Sequence, residues 1–361
     1  MSGRVARADR HGPASLAHDH RRQQGGLAPR QPVLPRVVDS SWQTRRALRL
    51  QHFAVHPRTA VDSVLGRGPD HRALLVVRSP DQARSPRRGH GDALRREFAY
   101  VSLLFQPLGS GSHGNSVLIR NSTGAILIDA GLNWATMQQR LRAAGQPTSE
   151  LAGVVLTHRH LDHTRSAGRI ARRSGVPLYA TERTAEHQRS IPRLERVYPG
   201  RPFDIAGFRL SPTRVSHDAP ETMAYLVECD GLRIGVVTDL GSTGGALTQM
   251  LRDLDLLYLE FNYDPRMLRE GPYEPKLQDR IASRRGHLSN AQAAHLLQQV
   301  ASPRLRVLWQ AHLSLVNNAP ELAHEAARKA LTRLGLDSEI RLALQHEVST
   351  PSLLDRPECR I

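Results

Sequence analysis

Cysteine is nearly absent from this 361-residue chain, which carries only Cys229 and Cys359. That excludes a disulfide framework and a Cys-rich metal site, and makes a reducing, cytoplasmic compartment the expected setting. Aromatic residues supply 4% and hydrophobic residues 39%, little for one fully packed globule of this length, so part of the chain is expected to add no core. No apolar run approaches the ~20 residues that span a bilayer, and no basic-then-apolar leader opens the chain. Lysine is scarce as well, since arginine makes up 48 of the 50 basic residues.

Positive charge, by contrast, is plentiful and unevenly placed. Of the net +16, residues 1–100 hold +11, from 19 arginines against 8 acidic residues, and the other 261 residues hold +5. From Met1 to about Tyr100 no period of 2 or 3.6 is sustained, while Arg, Pro, Gly, His and Gln recur. Residues 1–100 are therefore expected to be a disordered extension. It can be read as a basic arm for nucleic acid, or as a transit peptide, which its acidic residues weaken. A third reading is favoured: an upstream frame in a GC-rich gene, as the dominance of Arg over Lys suggests, with Val101 as the true start, where the domain pattern begins. Residues 101–350 are expected to form the folded domain and 351–361 a C-terminal tail. The domain's mild positive balance is compatible with a polyanionic substrate.

The chain is organised around Gly153-Val-Val-Leu-Thr-His-Arg-His-Leu-Asp-His163. Val154, Val155 and Leu156 form a compact apolar run that fits a short buried strand, so the ligand-type residues begin where the strand ends. His158 and His160 stand at i and i+2 and can hold one metal ion on a common side. Asp162 and His163 follow at once and can face a second ion, which gives a two-metal arrangement. A His-rich surface loop is the bland alternative in a chain with 18 histidines, but a strand ending in Thr-His-x-His-x-Asp-His is far more specific than a lone pair.

Other segments repeat the pattern of an apolar strand that stops at a polar residue. Val101 to Gln106 and Ser116 to Ile119 read as strands joined by the Gly109-Ser-Gly-Ser-His-Gly-Asn115 loop, weak evidence taken alone. Ala125 to Gly131 delivers Asp129, expected to orient ligands rather than to be one. An amphipathic helix through Met137, Leu141 and Ala144 follows, then a helix over Ser166 to Ser174 whose Arg169, Arg172 and Arg173 could touch phosphates but are expected on a solvated face. Strands over Phe208–Val215 and Met223–Cys229 flank His217, and Leu232–Val237 ends at Asp239, whose two oxygens can bridge two cations. A helix over Gly245–Leu254 leads to the strand Leu256–Asn262, which delivers Glu260. Asp264 to Arg285 is expected to be polar, helical and a rim to the site. His287 and His312 compete for the last ligand position; His312, at a strand end like the earlier ligands, is assigned to the second metal, and His287 stays free as a proton donor.

With these residues placed, the chain from about 101 to 350 resembles the metallo-β-lactamase superfamily and, more narrowly, its YycJ-like (WalJ-like) branch. The narrower likeness is carried by Gly109–Asn115, Ile128-Asp-Ala-Gly131, Ser216-His-Asp-Ala219, Thr238-Asp-Leu-Gly241, Leu259-Glu-Phe-Asn262, Met267–Tyr273, Gly286-His-Leu-Ser-Asn290 and His312-Leu-Ser314. It implies an α/β fold, α+β by some schemes, that is a four-layer αββα sandwich with the metal site at one edge. It also implies two divalent metal ions, Zn or Mn, and 5′-to-3′ exonuclease action on DNA. Relatives that process tRNA ends use a comparable late His and a Glu as a catalytic pair, which extends to His287 and Glu260 by analogy. His113, Phe261 and Tyr263 depart from the branch's usual residues, and none of these departures removes a ligand.

The expected centre thus has His158, His160 and His217 at one metal, Asp162, His163 and His312 at the other, and Asp239 shared, with Asp162, His287 and Glu260 as catalytic residues. A hydroxide bridging the metals would attack a phosphodiester. The leading function is a metal-dependent phosphodiesterase, a 5′-to-3′ DNA exonuclease, with nucleic acid as partner and no membrane. The alternative enzyme reading is a metallohydrolase of a small-molecule ester, lactone or cyclic phosphodiester, which this fold also hosts. A regulatory scaffold with a relic site is a third reading, disfavoured because every ligand position is intact.

Overall fold

The computed structural model describes residues 103–188 and 190–355; the expected extension over 1–100 lies outside the described residues. Strands come first: β1 (Leu103–Gly109), β2 (Ser116–Arg120) and β3 (Ala125–Ile128), followed by helix α1 (Trp134–Ala143). Next are β4 (Leu151–Val155), α2 (Leu161–Thr164), α3 (Ala167–Ser174), β5 (Leu178–Ala180), α4 (Glu182–Ala185) and β6 (Leu194–Arg196). The second half runs β7 (Phe203–Ile205), β8 (Phe208–Arg214), β9 (Met223–Cys229), β10 (Leu232–Val237), α5 (Gly245–Met250) and β11 (Leu256–Glu260). It closes with α6 (Pro265–Glu270), α7 (Pro275–Ala282), α8 (Asn290–Val300), β12 (Val307–Ala311), α9 (Pro320–Arg333), β13 (Glu339–Leu342) and β14 (Ser352–Leu354).

These strands form two seven-stranded sheets, ordered β14-β1-β2-β3-β4-β5-β6 and β13-β12-β11-β10-β9-β8-β7. Each sheet is part antiparallel and part parallel, with β3 to β6 parallel in the first and β10 to β13 parallel in the second. Alternation along the strands sends one set of side chains between the sheets, where Phe105, Ile126, Tyr225, Tyr258 and Trp309 are buried together. The opposite sets pack against helices: Leu127, Val154 and Leu156 join Met137 and Ile170, while Leu257, Leu259 and Leu308 join Leu296, Leu297 and Leu331. The layers are therefore helix, sheet, sheet, helix, the metallo-β-lactamase sandwich.

Several expected boundaries move. The strand expected at Val154–Leu156 is Leu151–Val155, and the helix expected over Gly245–Leu254 ends at Met250. The rim segment is two short helices rather than one, because Gly271 ends α6 and Pro275 starts α7. The expected tail needs a larger correction: Ser352–Leu354 pairs antiparallel with β1 and completes the first sheet. Ser352 Oγ also accepts from the buried Trp309 indole at 3.0 Å, so the sandwich is closed from both sheets by residues placed in the tail. A three-residue strand is too short for periodicity to reveal. No helix among the described residues is long and apolar enough to cross a membrane.

The parallel strands set the site. Asp129 follows β3, Asp239 follows β10 and His312 follows β12, and all three hold left-handed backbone, with φ of 61, 59 and 51°. In parallel sheets the carboxyl ends of the strands are where ligand-binding loops gather. A non-glycine residue in the left-handed region costs free energy that the surrounding packing must offset, and such residues concentrate at functional sites. Here each of three strands is followed within two residues by one such residue, which turns its side chain into the same edge of the sandwich.

Candidate metal centre

Asp129 organises the loop after β4. Its Oδ1 accepts the Thr157 backbone N–H at 2.8 Å, and its Oδ2 accepts the Thr157 hydroxyl at 2.8 Å and His163 Nδ1 at 2.7 Å. With its proton committed to Asp129, the Thr157 hydroxyl accepts from His158 Nδ1 at 3.0 Å. His217 Nδ1 is held in turn by the Gly286 carbonyl at 3.0 Å. In each of these imidazoles Nδ1 is the pinned donor, so Nε2, aimed away from the scaffold, is the nitrogen that offers a lone pair once the ring is neutral.

Those nitrogens converge. One ligand atom each from His158, His160 and His217 lie within 4.8 Å of one another, as do those of Asp162, His163 and His312, and those of His158, His163 and Asp239. Asp239 lies between the sets, with Oδ2 3.1 Å from His163 Nε2, and Oδ1 3.5 Å from His312 Nε2 and 3.9 Å from His217 Nε2. His217 Nε2, His312 Nε2 and Asp239 Oδ2 are buried and make no well-directed hydrogen bond within the protein, although carboxylate or imidazole atoms lie close to each. Buried polar atoms left without well-directed partners are costly, and a cation that takes their lone pairs removes that cost. Imidazole nitrogens with carboxylate oxygens are the donor set of Zn²⁺ and Mn²⁺, so the residues present fit divalent ions.

A fourth grouping, Asp239 with Glu260, His287 and His312, is of a different kind. Both Glu260 oxygens are already used, Oε2 by the Asp239 N–H and Oε1 by the Leu288 N–H, each at 2.7 Å. Glu260 also meets His287 Nδ1 at 3.2 Å. It is fully buried, whereas the His287 side chain retains 19% exposure, so His287 faces the mouth with Glu260 behind it.

The electrostatics divide the histidines. Burial drives His158 well below its ordinary value, helped by His163, and burial with His217 lowers His160. Burial also opposes a charge on His163, but Asp239, Asp129 and Asp162 outweigh it and hold His163 well above its ordinary value. Asp239 likewise overcomes burial at His312, which rises to about 9. At Asp239, burial is outweighed by His312 and His163, which keep it well below the usual carboxylate range. His287, against the pull of burial, is raised by Glu260.

All seven expected ligands therefore meet at one edge, with Glu260 and His287 beside them. Two participants carry no assignment from sequence. Asp218 Oδ1 lies 3.2 Å from His217 Nε2 and 3.3 Å from His160 Nε2, while its Oδ2 receives Arg280 of α7, with Nε at 2.7 Å. Its position directly after His217 is the one signal, diluted by the many other acidic residues at strand ends. Asn115 is the second: its N–H donates to the Asp162 carbonyl at 2.7 Å and its amide lies 3.0 Å from His163 Nε2, tying the Gly/Ser loop to the ligand loop. Arg280 and the Arg285 contact to the His217 carbonyl tie the rim helices to the same turn.

Comparison with known proteins places this edge among relatives. A family model described as the beta-lactamase superfamily domain matches residues 125–308. The chain is 30% identical over 241 residues to the exodeoxyribonuclease YycJ of Bacillus anthracis, covering 65% of this chain and 91% of that protein. It is 30% identical over 232 residues to the exodeoxyribonuclease WalJ of Streptococcus pneumoniae, covering 62% and 86%. Among solved structures it is similar in fold to the metallo-beta-lactamase fold protein YhfI from Bacillus subtilis, with a TM-score of 0.54 and 16% identity over 68% of this chain and 98% of that one. It is similar also to Igni18, a metallo hydrolase from Ignicoccus hospitalis, with a TM-score of 0.50 and 15% identity over 69% and 98%.

Proposed function

Because this chain belongs to the beta-lactamase superfamily, a hydrolase family whose fold implies divalent metal binding, and aligns with YycJ and WalJ over most of their length, we propose that it is a binuclear phosphodiesterase acting on DNA from the 5′ end. The observation that carries the reading is the sharing of one buried carboxylate, Asp239, between two sets of histidine nitrogens. We assign His158, His160 and His217 to one ion and Asp162, His163 and His312 to the other, both ions being Zn²⁺ or Mn²⁺. When bound, such a pair supplies charge neutralisation at the phosphoryl group and an acidified water as nucleophile.

The protein's own groups do the rest. Asp129, through Thr157 and His163, and Gly286, through His217, fix which imidazole nitrogen faces the reaction. Burial of the donors excludes water, which strengthens each electrostatic contact to a phosphate. His287 is held protonated by Glu260 and donates that proton to the leaving sugar oxygen. Asp162, partly exposed at the mouth, orients the nucleophile. A cytoplasmic setting suits the reading, since DNA is there.

The test is a nuclease assay on the full chain, stripped of metal and resupplied with Mn²⁺ or Zn²⁺, using oligonucleotides labelled at either end. Metal-dependent, stepwise loss from the 5′ end is expected, and Asp162→Ala with His163→Ala abolishes it. A protein that binds two ions and cleaves no nucleic acid belongs instead with the hydrolases of small esters or cyclic phosphodiesters.

A further inference from the structure

The loop that supplies the expected ligands has a second side. His158, His160 and Asp162 contribute to the metal centre, while Arg159 and Leu161, which alternate with them, line a separate cavity of roughly 550 Å³. Arg165, just past α2, and Arg169 and Arg172 of α3 line it as well, together with His187 and Gln188. Four guanidinium groups share this concavity and no Asp or Glu lines it.

Arg165, Arg169 and Arg172 are exposed, and three features suit the cluster to an anionic ligand. Some arginines elsewhere on the surface sit against carboxylates, as in Arg183 with Glu186, Arg196 with Glu182 and Arg209 with Asp204. Among the described residues no such ion pair involves Arg159, Arg165 or Arg169, although like charges three or four positions apart destabilise a helical segment unless something offsets them. Second, Arg169 lies over the Trp134 ring, 4.8 Å from its centroid. Stacking fixes the guanidinium plane and leaves its edge N–H groups free to donate. Third, the floor is Gly168, where an added Cβ would lie 3.0 Å from Gln188 Oε1 and 3.1 Å from Arg172 Nη1. The Arg172 head therefore folds back over Gly168 while the residue stays exposed.

Planar guanidinium forks held in a concavity without carboxylates recognise tetrahedral oxyanions that offer paired oxygens, and phosphodiester groups above all. We propose that this cavity binds the sugar-phosphate backbone of the strand being cut, at phosphates flanking the scissile one, an inference that rests on the phosphodiesterase reading above. Arg159 sits between two metal-facing histidines, so a strand held there passes directly to the metal centre. The cavity reads backbone and not base, and gives grip without sequence preference.

The test compares two doubly substituted full-length proteins of equal charge. One is Arg165→Gln with Arg169→Gln; the other is Arg328→Gln with Arg333→Gln on α9, away from the ligand loop. Binding of a fluorescein-labelled oligodeoxynucleotide is followed by anisotropy over a range of salt concentrations, with chelator present to prevent cleavage, and melting temperatures confirm that both variants are folded. The cavity variant is expected to raise Kd about tenfold and to flatten the slope of log Kd against log salt by about 0.7–0.9 for each phosphate no longer neutralised, while the α9 variant changes Kd less than about twofold. Equal weakening in both variants, or none in the cavity variant, overturns the proposal. Cleavage by the metal-loaded parent protein is scored separately: a parent that cuts no nucleic acid sinks the phosphodiesterase reading, whereas the cavity stands or falls on the binding comparison.

Discussion

The backbone N–H of Asp239 donates to Glu260 Oε2 at 2.7 Å, so the residue shared by both metal sets is held by the carboxylate that also meets His287. Glu260 Oε1 accepts the Leu288 N–H at the same distance. One buried side chain thus fixes the left-handed turn at Asp239, the loop carrying His287, and the protonation of that histidine. Glu260→Gln keeps the shape but turns one acceptor into a donor, leaving a backbone N–H facing an NH₂ group. The expected cost is about 1–3 kcal/mol in stability and at least about a hundredfold in turnover. Calorimetry and steady-state kinetics check this; parental values in both would remove Glu260 from the machinery.

His287 and His312 stack at 5.2 Å between ring centroids and differ in what surrounds them. His312 Nε2 is buried and makes no well-directed hydrogen bond, as a ligand's would be, whereas His287 is held by Glu260 and partly exposed. His312→Ala should lose one equivalent of bound metal by elemental analysis. His287→Asn should keep both equivalents and lose about 10²–10⁴ in kcat. Because the raised His287 works as an acid, the parental rate should fall as pH rises through its elevated pKa, and that limb should vanish in His287→Asn. Loss of metal from the His287 variant would reverse the two assignments.

Gly131 is fixed by approach rather than by φ. A Cβ there would lie 1.6 Å from the Asp162 carbonyl oxygen and 2.7 Å from the His163 nitrogen, both backbone atoms that cannot move aside cheaply. Gly131→Ala should therefore displace the ligand loop, cost more than about 3 kcal/mol, and empty the Asp162–His163–His312 set. Gly175, which ends α3 at φ +67° with nothing within 4 Å, is the control. Gly175→Ala should cost about 1 kcal/mol and leave metal content unchanged. Equal effects from the two substitutions would show that backbone strain, and not the close approach, governs Gly131.

Much of this was legible because the fold repeats one device. A parallel strand is a dense apolar run, and in this chain each such run stops at the residue that faces the site, as at Asp129, Asp239, Glu260 and His312. Contacts that depend on chain crossings were not legible. Asn115 reaches Asp162 across 47 positions and Arg280 reaches Asp218 across 62, and no local pattern marks either. The edge strands β6, β7 and β14 have three residues each, below the length at which alternation is a signal. The arginines of α3 were visible in the sequence, but the cavity they share with Arg159 exists only once the ligand loop folds beside them.

Metal uptake should be read out in protons. Without metal, His163 lies well above its ordinary value and His312 at about 9, both raised by Asp239 against burial, so both are charged at pH 7. His158 and His160 are lowered and already neutral. A cation takes a lone pair, so filling the Asp162–His163–His312 set at pH 7 must expel close to two protons, and filling the His158–His160–His217 set almost none from His158 and His160. Titration calorimetry in buffers of different ionisation enthalpy measures the number released, which should decline as pH rises through about 9, where His312 has already lost its proton. The sign for stability follows. A histidine raised on folding stabilises fully below its unfolded pKa of about 6.5 and loses that contribution as pH rises through the folded value. Metal-stripped protein should therefore melt lower above pH 9 than at pH 7, and the metal-loaded protein, whose ligands are already deprotonated, should not show that loss. Release of no protons at pH 7 would mean that the second set binds no metal through His163 and His312.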